Sequence, residues 1–163
     1  MVALLAAALL AAAPAPAVQA ENAVELPILR ELNRVRSGHG LQPLRTARPL
    51  RLAADSHAAS MARVGYFSHT SADGTTFDAR IGRFYRANRS SYWAVGENLL
   101  WASPTISPAE AVRLWMASPG HRRNILNPQY RQIGIAAVRA VDAPAFYGGR
   151  EVTIVVTDFG VRR

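Results

Sequence analysis

Four histidines and eleven carboxylates carry whatever acid–base or metal chemistry this 163-residue chain can perform, because it contains no cysteine and no lysine. The missing thiols remove a thiolate nucleophile and thiolate metal ligands. The missing lysine removes a Ser–Lys dyad. Histidine titrates near neutrality and is a common metal ligand, so the four are weighed first. His39 lies in the turn Ser37-Gly38-His39-Gly40 and reads as exposed. His57 falls on the apolar stripe of a helix and reads as a satisfied core histidine. His69, in Ser68-His69-Thr70, and His121, in Gly120-His121-Arg122, stand at element edges among small and polar residues, where an imidazole is free to face a cleft. Among the acids, Glu21, Glu25, Glu31 and Asp55 read as solvated, Asp73 as a turn residue and Glu110 as part of a helix cap. Glu97 is different. It precedes the apolar run Leu99-Leu100-Trp101. A carboxylate there is expected to be partly buried and to need a partner, for which His69 and His121 are the candidates. Such a set could bind a divalent cation, activate a water or fix a loop, and spacing leaves all three open. The motifs H-E-x-x-H and G-x-S-x-G are absent, so no residue is singled out as catalytic.

The elements that must position these groups are partly visible. Leu26, Leu29, Leu32 and Val35 recur at helical spacing over residues 24–36. Leu50, Ala53, Ala54, His57, Ala58 and Met61 mark a helix over 49–64, with Pro49 at its start and Gly65 at its end. A short helix is expected around 76–84, and a loop followed by a strand over 93–103. Ser107-Pro108-Ala109-Glu110 starts a helix that continues through Trp115. Pro119-Gly120 is expected to end that helix, and a second short one to cover 121–126. Strands are expected over 132–141 and 151–159. Consecutive strands after helices suggest a mainly antiparallel sheet with helices packed on it.

Several segments together resemble one family. They are Leu32-Asn33-Arg34-Val35-Arg36, Tyr66-Phe67-Ser68-His69-Thr70, Gly96-Glu97-Asn98-Leu99, Trp115-Met116-Ala117-Ser118-Pro119-Gly120-His121-Arg122, Asn124-Ile125-Leu126-Asn127, Ile133-Gly134-Ile135 and Thr157-Asp158-Phe159-Gly160. In this order, over roughly residues 27–160, they are similar to the CAP (SCP) domain, and most to its small cysteine-free bacterial members. The resemblance implies an α+β fold, a three-layer α-β-α sandwich with a central mainly antiparallel sheet. It also implies a large central cavity lined by two His and two Glu. Three of these carry over as His69, Glu97 and His121. Ser118 stands where the family often has its second Glu. The resemblance thus implies a cavity with His69 and His121 as possible metal ligands, and at best weak binding of zinc or another divalent cation.

The formal charge is +8, and all 19 basic residues are arginine. That surplus favours anionic neighbours, such as a lipid surface or an anionic cell-envelope polymer. Phe84, Tyr85, Tyr92 and Trp93 would suit such a ligand. No nucleic-acid module is recognisable, so nucleic acid is not expected as a partner. Residues 1–20 carry no charge and end Val18-Gln19-Ala20, which reads as a secretory signal peptide preceding a domain over 21–163. It lacks the usual basic start, which a start residue set too late would explain. Asn88-Arg89-Ser90 fits a glycosylation acceptor. These features set the expectation of a monomeric protein, secreted or held in the periplasm or cell envelope, with a binding role rather than an enzymatic one. The alternative is a metal-assisted hydrolase using His69, His121 and Glu97.

Overall fold

The computed structural model describes residues 15–87 and 92–163. Most of the expected leader, and the glycosylation acceptor at 88–90, lie outside the described residues. The elements are β1 (Ala17–Ala20), α1 (Asn22–Gly38), β2 (Arg45–Thr46), α2 (Arg48–Val64), α3 (Phe77–Phe84), β3 (Trp93–Ala102), α4 (Pro108–Ala117), α5 (Pro119–Ile125), β4 (Gln132–Ala143) and β5 (Arg150–Arg162), with a 3-10 turn at Ala145–Tyr147.

Among the described residues, the sheet runs β1-β4-β5-β3, and β2 adds to β4. Every pairing is antiparallel except the two-residue β2–β4 contact. Side chains alternate across the pleat, so each strand feeds two cores. Ala136, Val138, Val152, Ile154 and Val156 pack on Ala54, Ala58 and Met61 of α2. Ile133, Ile135, Val155, Phe159 and Val161 face the other way, onto Ile28 and Leu32 of α1, Val112 and Trp115 of α4, and Ile125 of α5. Both sheet faces are therefore covered by helices, which is the α-β-α sandwich the family resemblance implies.

Local chemistry explains where the helices start and stop. The side chain of Ser107 accepts the Glu110 N–H and caps α4. Gly65 ends α2 in the left-handed region, at φ 80°. Gly134 lets α2 lie against the sheet, because a Cβ there would collide with the Leu50 and Arg51 backbone. Arg36 is fully buried and ties α1 to the loops around α5, donating to the carbonyls of Gln42, Ile125, Asn127 and Tyr130 at 2.7–3.2 Å.

Three expectations need correction. Residues 93–102 are strand throughout, because β3 pairs with β5 from Trp93 opposite Arg162 to Ala102 opposite Thr153. Pro119 and Gly120 do not end α4; they open α5, with Pro119 in its first turn. Ser118 alone is the joint, serving α4 as its last cap and α5 as its first. Finally, excluding residues 17–20 from the fold does not hold for the chain described here. Ala17–Ala20 pairs with Val138–Val141, satisfying part of the outer edge of β4.

Candidate functional site

Among the described residues β3 is an edge strand of the sheet, and the candidate site wraps around its outer edge. Odd and even residues of β3 point to opposite faces. Glu97 and Leu99 project toward the α2 side, where Leu99 joins the α2 core. Gly96 and Asn98 project toward α5. A Cβ on Gly96 would lie 2.6 Å from the Tyr130 hydroxyl and 2.9 Å from Asn124 Oδ1. The open edge is partly sealed by side chains. Asn124 Nδ2 donates to the Glu97 carbonyl at 3.0 Å, and Trp115 Nε1 donates to the Leu99 carbonyl at 3.0 Å. Asn98 Nδ2 donates to the His121 carbonyl at 3.1 Å, locking the start of α5 to the strand.

Around this edge opens a cleft of about 380 Å³ lined by His69, Phe77, Glu97, Gly120, His121 and Arg123, with Val95, Gly96 and Asn124 as further walls. The structure therefore brings together three of the four residues the sequence singles out, His69, Glu97 and His121. The fourth, Ser118, does not line the cleft; its backbone is used in the α4–α5 joint. The cleft opens to solvent at the β3 edge, where the resemblance implies a large central cavity.

The carboxylate of Glu97 is almost fully buried, and both oxygens are engaged. Oε1 accepts from His69 Nδ1 at 2.7 Å, and Oε2 pairs with Arg80 of α3. The His69 side chain is about 50% exposed, against 1% for Glu97. A carboxylate only accepts, so Nδ1 of His69 carries the hydrogen and Nε2 is left for a ligand in the cleft. Arg80 is buried and donates also to the His69 carbonyl at 3.0 Å and to Ser71 Oγ at 2.9 Å. It thereby fixes both ends of the loop from His69 to Ser71. His121 is half-buried, and burial, with a smaller effect of nearby His69, lowers its pKa.

Sequence reasoning missed two members of this cluster. Arg80 looks like one more surface arginine on a short helix, and Asp158 sits in an apolar strand with nothing nearby in sequence to explain it. Strand register supplies the explanation. Asp158 of β5 lies directly opposite Glu97 of β3, fully buried on the same face. Among the described residues, no N–H or hydroxyl donor reaches either carboxyl oxygen of Asp158, and the group within hydrogen-bonding reach is the Glu97 carboxylate. Burial first, and the charge of Glu97 second, push its pKa well above the usual carboxylate range. The neutral form of Asp158 is thereby favoured over its carboxylate. His57, read as a core residue, is buried at the margin of the same cluster. One of its ring nitrogens, Nε2, donates to the Ser68 carbonyl at 2.9 Å. Burial lowers its pKa to about 4. His39 is exposed at the end of α1, as expected.

The divalent cation that the resemblance implies does not fit this donor set. Glu97 spends both oxygens on His69 and Arg80, and the Arg80 guanidinium already supplies the positive charge beside it. Among the described residues no group of three His, Cys, Asp or Glu side chains is arranged to hold a metal ion.

Residues 29–157 match the sequence profile of the cysteine-rich secretory protein family, CAP. The chain belongs to this family. It is 34% identical over 120 residues to YkwD, an uncharacterized protein of Bacillus subtilis (strain 168), a match covering 73% of this chain and 44% of YkwD. The chain thus spans less than half the length of that relative. Among solved structures it is similar to an extracellular protein containing a SCP domain from Bacillus anthracis str. Ames, with 26% identity and a TM-score of 0.66, covering 88% of this chain and 41% of that one. An outer surface protein from Borrelia burgdorferi shares the fold at 22% identity and a TM-score of 0.65, covering 85% of this chain and 92% of that one.

Proposed function

We propose that this chain is a secreted or cell-envelope binding domain whose cleft at the β3 edge holds a small ligand without catalysing its turnover. The observation that carries this reading is the full engagement of Glu97. A carboxylate bonded to His69 and Arg80 orients an imidazole; it is poorly placed to ligate a metal or take a proton from water. What remains available in the cleft is a set of recognition groups. The Nε2 of His69, the His121 ring and the Arg123 guanidinium contribute polarity and charge, and Phe77 and Val95 offer apolar surface. Such walls suit a ligand with polar or anionic oxygens and an apolar part, as a lipid or envelope component has. The extracellular and outer-surface settings named for the Bacillus anthracis and Borrelia proteins support an extracytoplasmic location, as does the uncharged N-terminal segment.

Mass spectrometry of small molecules that co-purify with the full chain tests the proposal. The expected result is a bound species in the wild type that is missing from the His69→Ala and His121→Ala variants, with no zinc isotherm in calorimetry. A stoichiometric zinc isotherm abolished by both substitutions, together with turnover of an ester or peptide, would replace this reading with the hydrolase.

A further inference from the structure

A second site stands on the other side of β5 from the cleft. Where β2, the start of β4 and the end of β5 meet, a depression of about 630 Å³ is lined by Gln42, Arg45, Arg131, Gln132, Arg162 and Arg163. These arginines are scattered in sequence, and backbone pairing gathers them. Arg45 N–H donates to the Arg131 carbonyl at 2.9 Å, and Arg131 N–H to the Gly160 carbonyl at 3.2 Å. Among the described residues, no Asp or Glu side chain lines the depression. Among the same residues, none of Arg45, Arg131 and Arg162 forms an ion pair.

Two features distinguish this from a solvated charged face. Its walls are pre-set. Arg131 is held by the carbonyls of Pro128 and Tyr130, and Arg162 lies over the Tyr85 ring at 4.5 Å while donating to the Arg86 carbonyl at 3.2 Å. Holding these side chains in place lowers the entropy lost when a ligand is gripped. The second feature lies behind the wall. Buried Arg36 bonds to carbonyls, one of them that of Gln42 in the depression, and no acidic side chain pairs with it among the described residues. It stands close enough to Arg131 for each charge to oppose the other. With no acidic side chain beside them, the Arg45, Arg131 and Arg162 guanidinium groups give the depression a positive potential that attracts an anion.

We propose that this depression is an oxyanion site that binds phosphate groups, presented on a lipid headgroup or on a free phosphate-bearing molecule. Phosphate is favoured over a lone carboxylate because its several oxygens and higher charge can engage several planar guanidinium forks together. The site is separate from the β3 cleft and does not depend on the function proposed for it.

Calorimetry of the full chain with inorganic pyrophosphate, at fixed ionic strength, tests the site. Binding is expected for the wild type and weakened at least about tenfold by Arg45→Glu and by Arg131→Glu, since a charge-assisted hydrogen bond contributes roughly that factor. Both side chains are exposed, and unchanged thermal unfolding would show that the variants fold. Arg63→Glu is the control. It sits in the last turn of α2, the helix that starts beside the depression and runs about 20 Å away from it. His69→Ala and His121→Ala should leave pyrophosphate binding unchanged. Flotation with phosphatidylcholine vesicles, with and without phosphatidic acid, separates the two sources. Retention only with phosphatidic acid, reversed by pyrophosphate, assigns the lipid headgroup; pyrophosphate binding without retention assigns the free phosphate. Absence of pyrophosphate binding would overturn the site, as would an equal loss in Arg63→Glu, which would reduce the effect to net charge. An oligonucleotide binding more tightly with each added nucleotide would also overturn it in favour of a nucleic-acid surface.

Discussion

Glu97 carries the most consequence of any single residue, because removing its charge strands Arg80. A buried guanidinium left without its partner costs roughly 3 kcal/mol or more. Glu97→Gln should therefore lower the urea midpoint clearly, while His69→Ala, at a half-exposed position, should change it little. Asp158 gives a prediction of opposite character. Its native pKa is raised, so protonation favours the fold, and its contribution is lost as pH rises from the unfolded value near 3.8 through the native one. Asp158→Asn keeps the shape without the ionisation, and unfolding midpoints at pH 5 and 8 should differ less in the variant than in the wild type. His57 acts in the other direction along the pH axis. Its pKa falls from 6.5 to about 4 on folding, so the unfolded chain binds its proton first. Stability is lost as pH falls from about 6.5 toward 4, by up to about 3 kcal/mol once both states are protonated. His57→Gln should flatten the acid side of a midpoint-against-pH curve.

At the scale of elements, the close approach of α2 to the sheet depends on Gly134. Gly134→Ala would force the α2 backbone away from β4 and is expected to cost more than about 2 kcal/mol, visible as a fall in the thermal midpoint. The same scale shows what sequence periodicity could and could not provide. The seven buried positions of α2 follow a helical stripe, so that helix was legible. The Ser107 cap was legible because capping is local chemistry. Pro119 was misread because proline next to glycine resembles a terminator, while the fixed φ of proline also suits a first helical turn. That Glu97 needs a partner is legible from the apolar run beside it, which leaves His69 and His121 as candidates; the structure pairs it with His69. Arg80 and Asp158 were not legible. One reaches the site only when α3 docks, and the other only when β3 and β5 take up their register. Tyr85, grouped with the aromatic residues expected to meet a ligand, is fully buried against α2 and β5, where no ligand reaches it.

For the molecule as a whole, the fold was readable from motifs spread along the chain, whereas the arginine depression was not. Residues 45, 131 and 162 share no local pattern and converge only through strand pairing. One more consequence follows from the way the β3 edge is closed. A sheet that ends in bare peptide groups can recruit another copy of itself, and sheets of this kind grow by adding strands. Here the indole of Trp115 and the amide of Asn124 occupy two carbonyls that such an incoming strand would use. These two side chains act as gatekeepers of solubility as well as props for the cleft. Asn124→Ala combined with Trp115→Phe should yield a chain that stays folded at low concentration but forms oligomers as concentration rises, measurable by light scattering.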